Sequence, residues 1–134
     1  MQAPLGHIQF NVREANLAFY RDLLLFLGWK LIGEWPGMFG AGSGNGESLW
    51  FSGAVKDVSN DYDGPGMNHL AFAAASIADV AAAAEYLAAH GVPALFDTPR
   101  HRPEFARDAQ STYYQVMFES PDRILFEIVY IGPL

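Results

Sequence analysis

Cysteine is absent from the chain, which removes disulfides, thiolate-ligated metals and cysteine nucleophiles from its chemistry. Lysine is scarce: Lys30 and Lys56 are the only two, and three of the six arginines sit together at Arg100, Arg102 and Arg107. With a formal net charge of -7, the chain lacks the clustered cations that phosphate backbones require, so no nucleic-acid partner is expected. No apolar run reaches membrane-spanning length, and the start MQAPLG lacks a basic flank followed by an apolar stretch. The expectation is therefore a cytoplasmic protein with no membrane partner. What is present is apolar matter: 51% of 134 residues, enough to build one core in one domain without covalent staples.

The chain repeats itself. His7-Ile8-Gln9-Phe10 falls on His69-Leu70-Ala71-Phe72 at an offset of 62 residues. Each segment precedes a helical pattern, carried first by Leu17, Tyr20, Leu23, Leu24 and Leu27, then by Asp79, Val80, an alanine run and Leu87. Each helix ends at a glycine, Gly28 or Gly91, as helix C-termini commonly do. At an offset of 63, LGWKLIGEWP then falls on HGVPALFDTP, matching Glu34 with Asp97 and Pro36 with Pro99. Two further strands close each half. Asn45-Gly46 signals a tight hairpin in the first, and Ser120-Pro121-Asp122 a turn in the second. Both halves read strand, helix, strand, strand, strand. The first repeat spans about 5–54, a polar linker 55–66, and the second repeat about 67–131. The second half also carries a longer loop over about 99–111, rich in Arg, Pro and Asp.

Alternate residues of a strand share a face. His7, Gln9 and Asn11 therefore lie on one face of the first strand, and Ile8, Phe10 and Val12 on the other, under the helix. His69, Ala71 and Ala73 repeat the arrangement on the fifth strand. In the last strand, ILFEIVYI places Glu127 among apolar residues, where an unpartnered ionised carboxylate is costly. Two neutral imidazoles and that carboxylate would hold a divalent cation and leave positions open, which predicts His7, His69 and Glu127 as metal ligands. The bland alternatives are satisfied structural histidines, and an ion pair between Glu127 and an arginine of the 99–111 loop. His90 reads as a helix-end histidine that complements the dipole, and His101 as an exposed loop residue.

The double plan, with AFYRDLLLFLGWKL, GMNHLAFAA and MFESPDRILFEIVY in that order, resembles the vicinal oxygen chelate superfamily, which includes glyoxalase I, extradiol dioxygenases and bleomycin-resistance proteins. The last stretch resembles the family's DPDG-x-x-x-E ending, with Ser120 and Arg123 as departures. The resemblance implies an α+β fold in which two βαβββ repeats form a curved, incomplete mixed β-barrel with one helix packed outside each half. It implies a divalent metal (Zn, Fe, Mn or Ni) on His7, His69 and Glu127, and a homodimer. Many members add a carboxylate from the fourth strand. Aligning ESLWF with RILFE sets Phe51 against Glu127, so that ligand is absent, which argues against a true glyoxalase I.

The function implied is a metal-dependent lyase, isomerase or dioxygenase acting on a small oxygen-rich substrate. The alternative is a non-catalytic protein that sequesters a small molecule, as bleomycin-resistance members do. If residues 119 and 124 pair across the last turn, Tyr114 shares the Glu127 face and is the candidate acid or hydrogen-bond donor; a slip of one residue puts Tyr113 there instead. Either tyrosine reads equally well as a packed strand aromatic. Gln9 is a candidate for the pocket floor, and Trp50 or Phe51, with Trp35 and Met38, for its walls. Arg102 and its neighbours either meet an anionic group at the mouth or form a solvated surface balancing Glu104 and Asp108.

Overall fold

A computed structural model describes residues 1–53 and 56–134. The expected junction between first repeat and linker, at residues 54 and 55, lies outside the described residues. The chain divides into two compact units, Met1–Ser59 and Asn60–Leu134.

The first unit runs β1 (His7–Asn11), a 3-10 turn (Glu14–Asn16), α1 (Leu17–Phe26), β2 (Lys30–Trp35), β3 (Met38–Gly42) and β4 (Ser48–Ser52). The sheet order is β1-β4-β3-β2, with β1 parallel to β4 and the other pairs antiparallel. Helix α1 buries Tyr20, Leu23 and Leu24, a stripe at helical spacing. It stops at Gly28, whose φ of 88° lets Trp29 N–H reach back to the Leu24 carbonyl at 2.9 Å. On the helix side of the sheet, the register partners Phe10, Phe51 and Phe39 form one row of rings. Phe51 stacks with Phe10 and Phe39 at 5.0 Å, and with Tyr20 at 4.8 Å. Each such aromatic pair adds about 0.5–1.5 kcal/mol beyond its burial.

The second unit repeats the plan with β5 (Leu70–Ala73), α2 (Ile77–Ala89), β6 (Leu95–His101), a 3-10 turn (Pro103–Phe105), β7 (Ser111–Glu119) and β8 (Leu125–Pro133). The order is β5-β8-β7-β6, and β5–β8 is the parallel pair. Ser76 caps α2 by accepting from Asp79 N–H at 3.1 Å. Val80, Ala83 and Leu87 pack the helix against its sheet, where Phe72, Phe118 and Phe126 stack. At the other end His90 Nδ1 lies 2.8 Å from the Tyr86 carbonyl. Among the described residues no helix is long and apolar enough to cross a membrane.

Three details differ from the sequence expectation. First, β7 and β8 pair Glu119 with Leu125, not with Ile124. Arg123 takes a left-handed conformation, φ 59°, giving a three-residue loop whose ends meet as Ser120 N–H to the Ile124 carbonyl at 2.9 Å. That extra loop residue moves every pair by one position. Second, β6 extends through Arg100 into His101, which pairs with Tyr114. His101 is half-buried rather than exposed, and its Nε2 is shielded from solvent. Third, residues 60–68 fold onto the second unit. Tyr62 packs on Met117 and Leu125 and donates its hydroxyl proton to Glu119. Arg123 lies 4.9 Å above the Tyr62 ring, and Asn60 Nδ2 donates to the Arg123 carbonyl at 3.1 Å.

Candidate functional site

In the second unit the helix takes the face of the sheet carrying Phe72, Phe126 and Ile128. The alternation of β8 therefore turns Glu127 to the opposite face, with Tyr113, Gln115 and Met117 of β7 beside it. Glu127 is only 2% exposed. Both its oxygens have partners: Tyr113 donates to Oε1 at 2.6 Å, and His69 Nε2 lies 3.0 Å from Oε2. The register partner of Glu127 on β5 is Ala71, whose methyl group leaves room for the imidazole two residues earlier to reach across. Among the described residues no arginine partners this carboxylate. Arg102 instead donates from Nε to Gln115 Oε1 at 2.9 Å and pairs with Glu104 at 3.3 Å.

The hydrogen-bond network assigns the tautomer of His69. Asn68 Nδ2 donates to the Tyr62 carbonyl at 3.1 Å, which fixes the amide so that Oδ1 is the atom 2.7 Å from His69 Nδ1. An amide oxygen only accepts, so Nδ1 carries the proton. In a neutral imidazole Nε2 then holds a lone pair aimed at a carboxylate oxygen 3.0 Å away. Two lone pairs at that distance repel, so the space between them takes a proton or a cation. One imidazole nitrogen tied to a neighbouring acceptor while the other is free to ligate is the arrangement metal-binding histidines use. The second unit thus supplies two donors that fit a divalent ion, a nitrogen and an oxygen facing one point. Among the described residues there is no group of three or more His, Cys, Asp or Glu that could hold an ion.

Tyr113 is a donor and not a base. Burial, then the hydrogen bond to Glu127 and the charge of that carboxylate, push its phenol up to about 12, with the Arg102 charge acting in the opposite direction. Phe105 packs edge-on to the Tyr113 ring at 5.4 Å, so the 3-10 turn after β6 braces the phenol.

Of the residues expected from sequence, His69, Glu127, Tyr113 and Arg102 come together here. Tyr114 does not: the register sets it opposite Tyr130, on the helix side, because Arg123 lengthens the turn. Phe51 is not a pocket wall either. It is 1% exposed, at the centre of the first unit's aromatic row. The register also corrects the fourth-strand comparison. Gln9 pairs with Trp50 as Ala71 pairs with Glu127, so Trp50, and not Phe51, occupies the place of the carboxylate. The fourth-strand position still carries no acid. His7, Gln9 and Trp50 lie on the non-helix face of the first sheet, His7 and Gln9 exposed and Trp50 half-buried. Sequence reasoning missed Asn68 and Gln115. Asn68 stands directly before His69, but nothing in the letters shows which way its amide is turned.

The strand orders, the parallel closing pairs and the His69–Glu127 site define a double βαβββ chain. It belongs to the Glyoxalase/Bleomycin resistance protein/Dioxygenase superfamily, whose model matches residues 5–128. Among solved structures it is similar to a candidate glyoxalase from Bacillus halodurans, at 30% identity over 96% of each chain and a TM-score of 0.79. A glyoxalase/dioxygenase from Nostoc punctiforme has the same fold, at 18% identity over 96% of this chain and 91% of that one, TM-score 0.71. So does a glyoxalase/bleomycin resistance protein from Albidiferax ferrireducens T118, at 18% identity over 94% and 98%, TM-score 0.71. No curated protein matches the chain.

Proposed function

We propose that the chain is a metal-dependent enzyme of vicinal-oxygen-chelate type, a lyase, isomerase or dioxygenase acting on a small oxygen-rich substrate. His7, His69 and Glu127 would hold a divalent ion, Zn, Fe, Mn or Ni. The observation that carries this proposal is the buried Glu127 carboxylate facing a histidine nitrogen whose lone pair the Asn68 hydrogen bond leaves free. His7 joins the set because it occupies in β1 the position that His69 occupies before β5, two residues from the partner of the fourth or last strand. When bound, the ion supplies a Lewis acid for negative charge developing on a substrate oxygen. The chain's own part is to hold that ligand set rigid. Tyr113 keeps its proton at Oη and fixes Glu127 Oε1. Asn68 fixes the His69 ring, and Gln115 and Glu104 hold Arg102 beside the phenol. The exposed apolar side chains Leu25, Phe26 and Ile32 support a homodimer.

Sequestration of a small molecule is the second reading, favoured by the two stacked indoles of the first unit, 6.2 Å apart.

Metal analysis of protein purified without added ions separates the two. Stoichiometric divalent metal in the native protein, lost in His7→Ala, His69→Ala and Glu127→Gln, supports the enzyme. A native protein that neither retains nor takes up any of the four metals overturns it.

A further inference from the structure

The non-helix face of the second sheet carries an unpaired hydrogen-bond donor. Arg102 Nε donates to Gln115 Oε1 at 2.9 Å. A guanidinium only donates, so this contact fixes the amide with its oxygen on the arginine and Nε2 turned away. Gln115 is 3% exposed, yet no described residue accepts from Nε2. Among the described residues the unpartnered side-chain atoms sealed from solvent are His101 Nε2 and Thr112 Oγ1, so Gln115 Nε2 keeps an opening to the outside. An irregular strand brings the arginine there. β6 pairs Leu95 with Met117 and then Arg100 with Gln115, so that Phe96 to Pro99 stand against Val116 alone. Phe96 and Asp97 take left-handed φ values of 56° and 58°, and Thr98 Oγ1 closes the gap by accepting from Met117 N–H at 3.0 Å. Bulges of this kind re-aim the side chains that follow. Arg100, the register partner of Gln115, and Arg102 two residues on share the face of Gln115 and Tyr113. Their acidic neighbours, Asp97 at 3.8 Å and Glu104 at 3.3 Å, are exposed side chains, and ion pairs in water hold little.

We infer that Gln115 and Arg102, with Arg100 at the outer edge, form a subsite for a carboxylate of the substrate, which makes that substrate an oxygenated carboxylic acid. The inference names the substrate class of the proposed function and rests on that reading. The unpaired N–H calls for an acceptor oxygen, since an apolar group or a second donor would leave it unsatisfied. Two guanidiniums on the same face favour an anionic acceptor, and a planar carboxylate matches their fork of N–H groups. The spacing suits a small molecule. Gln115 pairs with Val129, two residues along β8 from Glu127 and on the same face, which sets Gln115 and Glu127 about 7–8 Å apart as diagonal neighbours. One ligand can then present an oxygen at His69 and Glu127 and its carboxylate at Gln115. The charge of Glu127 does not oppose this, because the proton or cation between it and His69 cancels it. Gln115 is thus a specificity residue, committed by Arg102 to donating and never accepting.

The probe is 3-hydroxybutyrate, titrated by NMR into isotope-labelled protein stripped of metal with a chelator and desalted. The control is the neutral amide of the same acid, 3-hydroxybutyramide. In the native protein the Gln115 side-chain NH2 signals should shift saturably with the acid, and the amide should bind at least about tenfold more weakly. Gln115→Leu removes the donor and should weaken binding at least about tenfold, the scale of one hydrogen bond to a charged group. Gln115→Glu keeps a partner for Arg102 but sets a carboxylate against the ligand's own, and should abolish binding in a protein whose circular dichroism is unchanged. Gln115 signals that do not shift, an equal response to the amide, or undiminished binding in folded Gln115→Glu overturns the proposal. The first two outcomes are read in the native protein, so they decide even where a variant fails to fold. Acid binding by a protein that takes up no divalent ion keeps the subsite and removes the metal proposal. A metal-retaining protein whose Gln115 signals stay still does the reverse.

Discussion

Asn68 Oδ1 lies 2.7 Å from His69 Nδ1, and that contact decides which imidazole nitrogen carries the proton. Removing it should therefore change the tautomer before it changes anything else. In metal-free Asn68→Ala, nitrogen NMR of the His69 ring should show the proton moving from Nδ1 to Nε2, where the carboxylate can accept it. Affinity for a divalent ion should fall about 10–100-fold, as it does when an outer partner of a ligating histidine is lost. An unmoved ring proton would show that Asn68 does not orient the ring.

With no metal bound, the 3.0 Å gap between Nε2 and the Glu127 oxygen takes a proton, and Glu127→Gln supplies that proton as an amide N–H donating to Nε2. The metal-free variant should be about as stable as the native protein in urea denaturation, since the contact to Nε2 is kept while a buried ionisable group is removed. The same variant should lose divalent-metal binding. A large destabilisation of the metal-free form would mean that the carboxylate is held chiefly by a protonated imidazole.

Tyr113 has its phenol pushed up to about 12, from an ordinary value of 10.0. A group whose pKa is raised on folding stabilises the fold fully below its unfolded value and loses that contribution as pH rises through the folded one. Stability of the metal-free protein should therefore carry a Tyr113 contribution up to about pH 10 that disappears towards pH 12. Tyr113→Phe should abolish that step and, by leaving Glu127 Oε1 without its donor, cost about 1–3 kcal/mol. Ultraviolet titration of phenolate alongside chemical denaturation reads both effects.

Phe51→Ala opens the centre of the first unit's ring row and should cost about 3–5 kcal/mol. Because Phe51 faces the helix, the folded variant should bind divalent metal as the native protein does. Loss of metal from folded Phe51→Ala would contradict the assignment of Phe51 to the core.

The duplicated architecture was legible because its signals are periodic or conformational. Alternation in HIQFN and LAFA, the helical stripe at Tyr20, Leu23 and Leu24, and the glycines at 28 and 91 each state a local preference that tertiary packing did not override. The burial of Glu127 was legible from its apolar neighbours. Register was not. A left-handed Arg123, a conformation unusual for an arginine, adds one residue to a loop and exchanges Tyr114 for Tyr113 on the site face. The same kind of one-residue ambiguity set Phe51 in the place that Trp50 holds. Amide orientation was also hidden, since Asn68 acquires its role only when the Tyr62 carbonyl takes its N–H group. The polar look of residues 55–66 concealed Tyr62, whose ring packs on Met117 and Leu125, residues some 55 to 63 positions away in the chain.

Tyr62 has a consequence beyond packing. Its ring and hydroxyl anchor the connecting segment to the β7–β8 hairpin, and its carbonyl steadies the amide that steadies the imidazole. Segment 60–68 of the second unit is thus wired to the proposed ligand His69: a pull on it would be transmitted, through two hydrogen bonds, as a rotation of that ring.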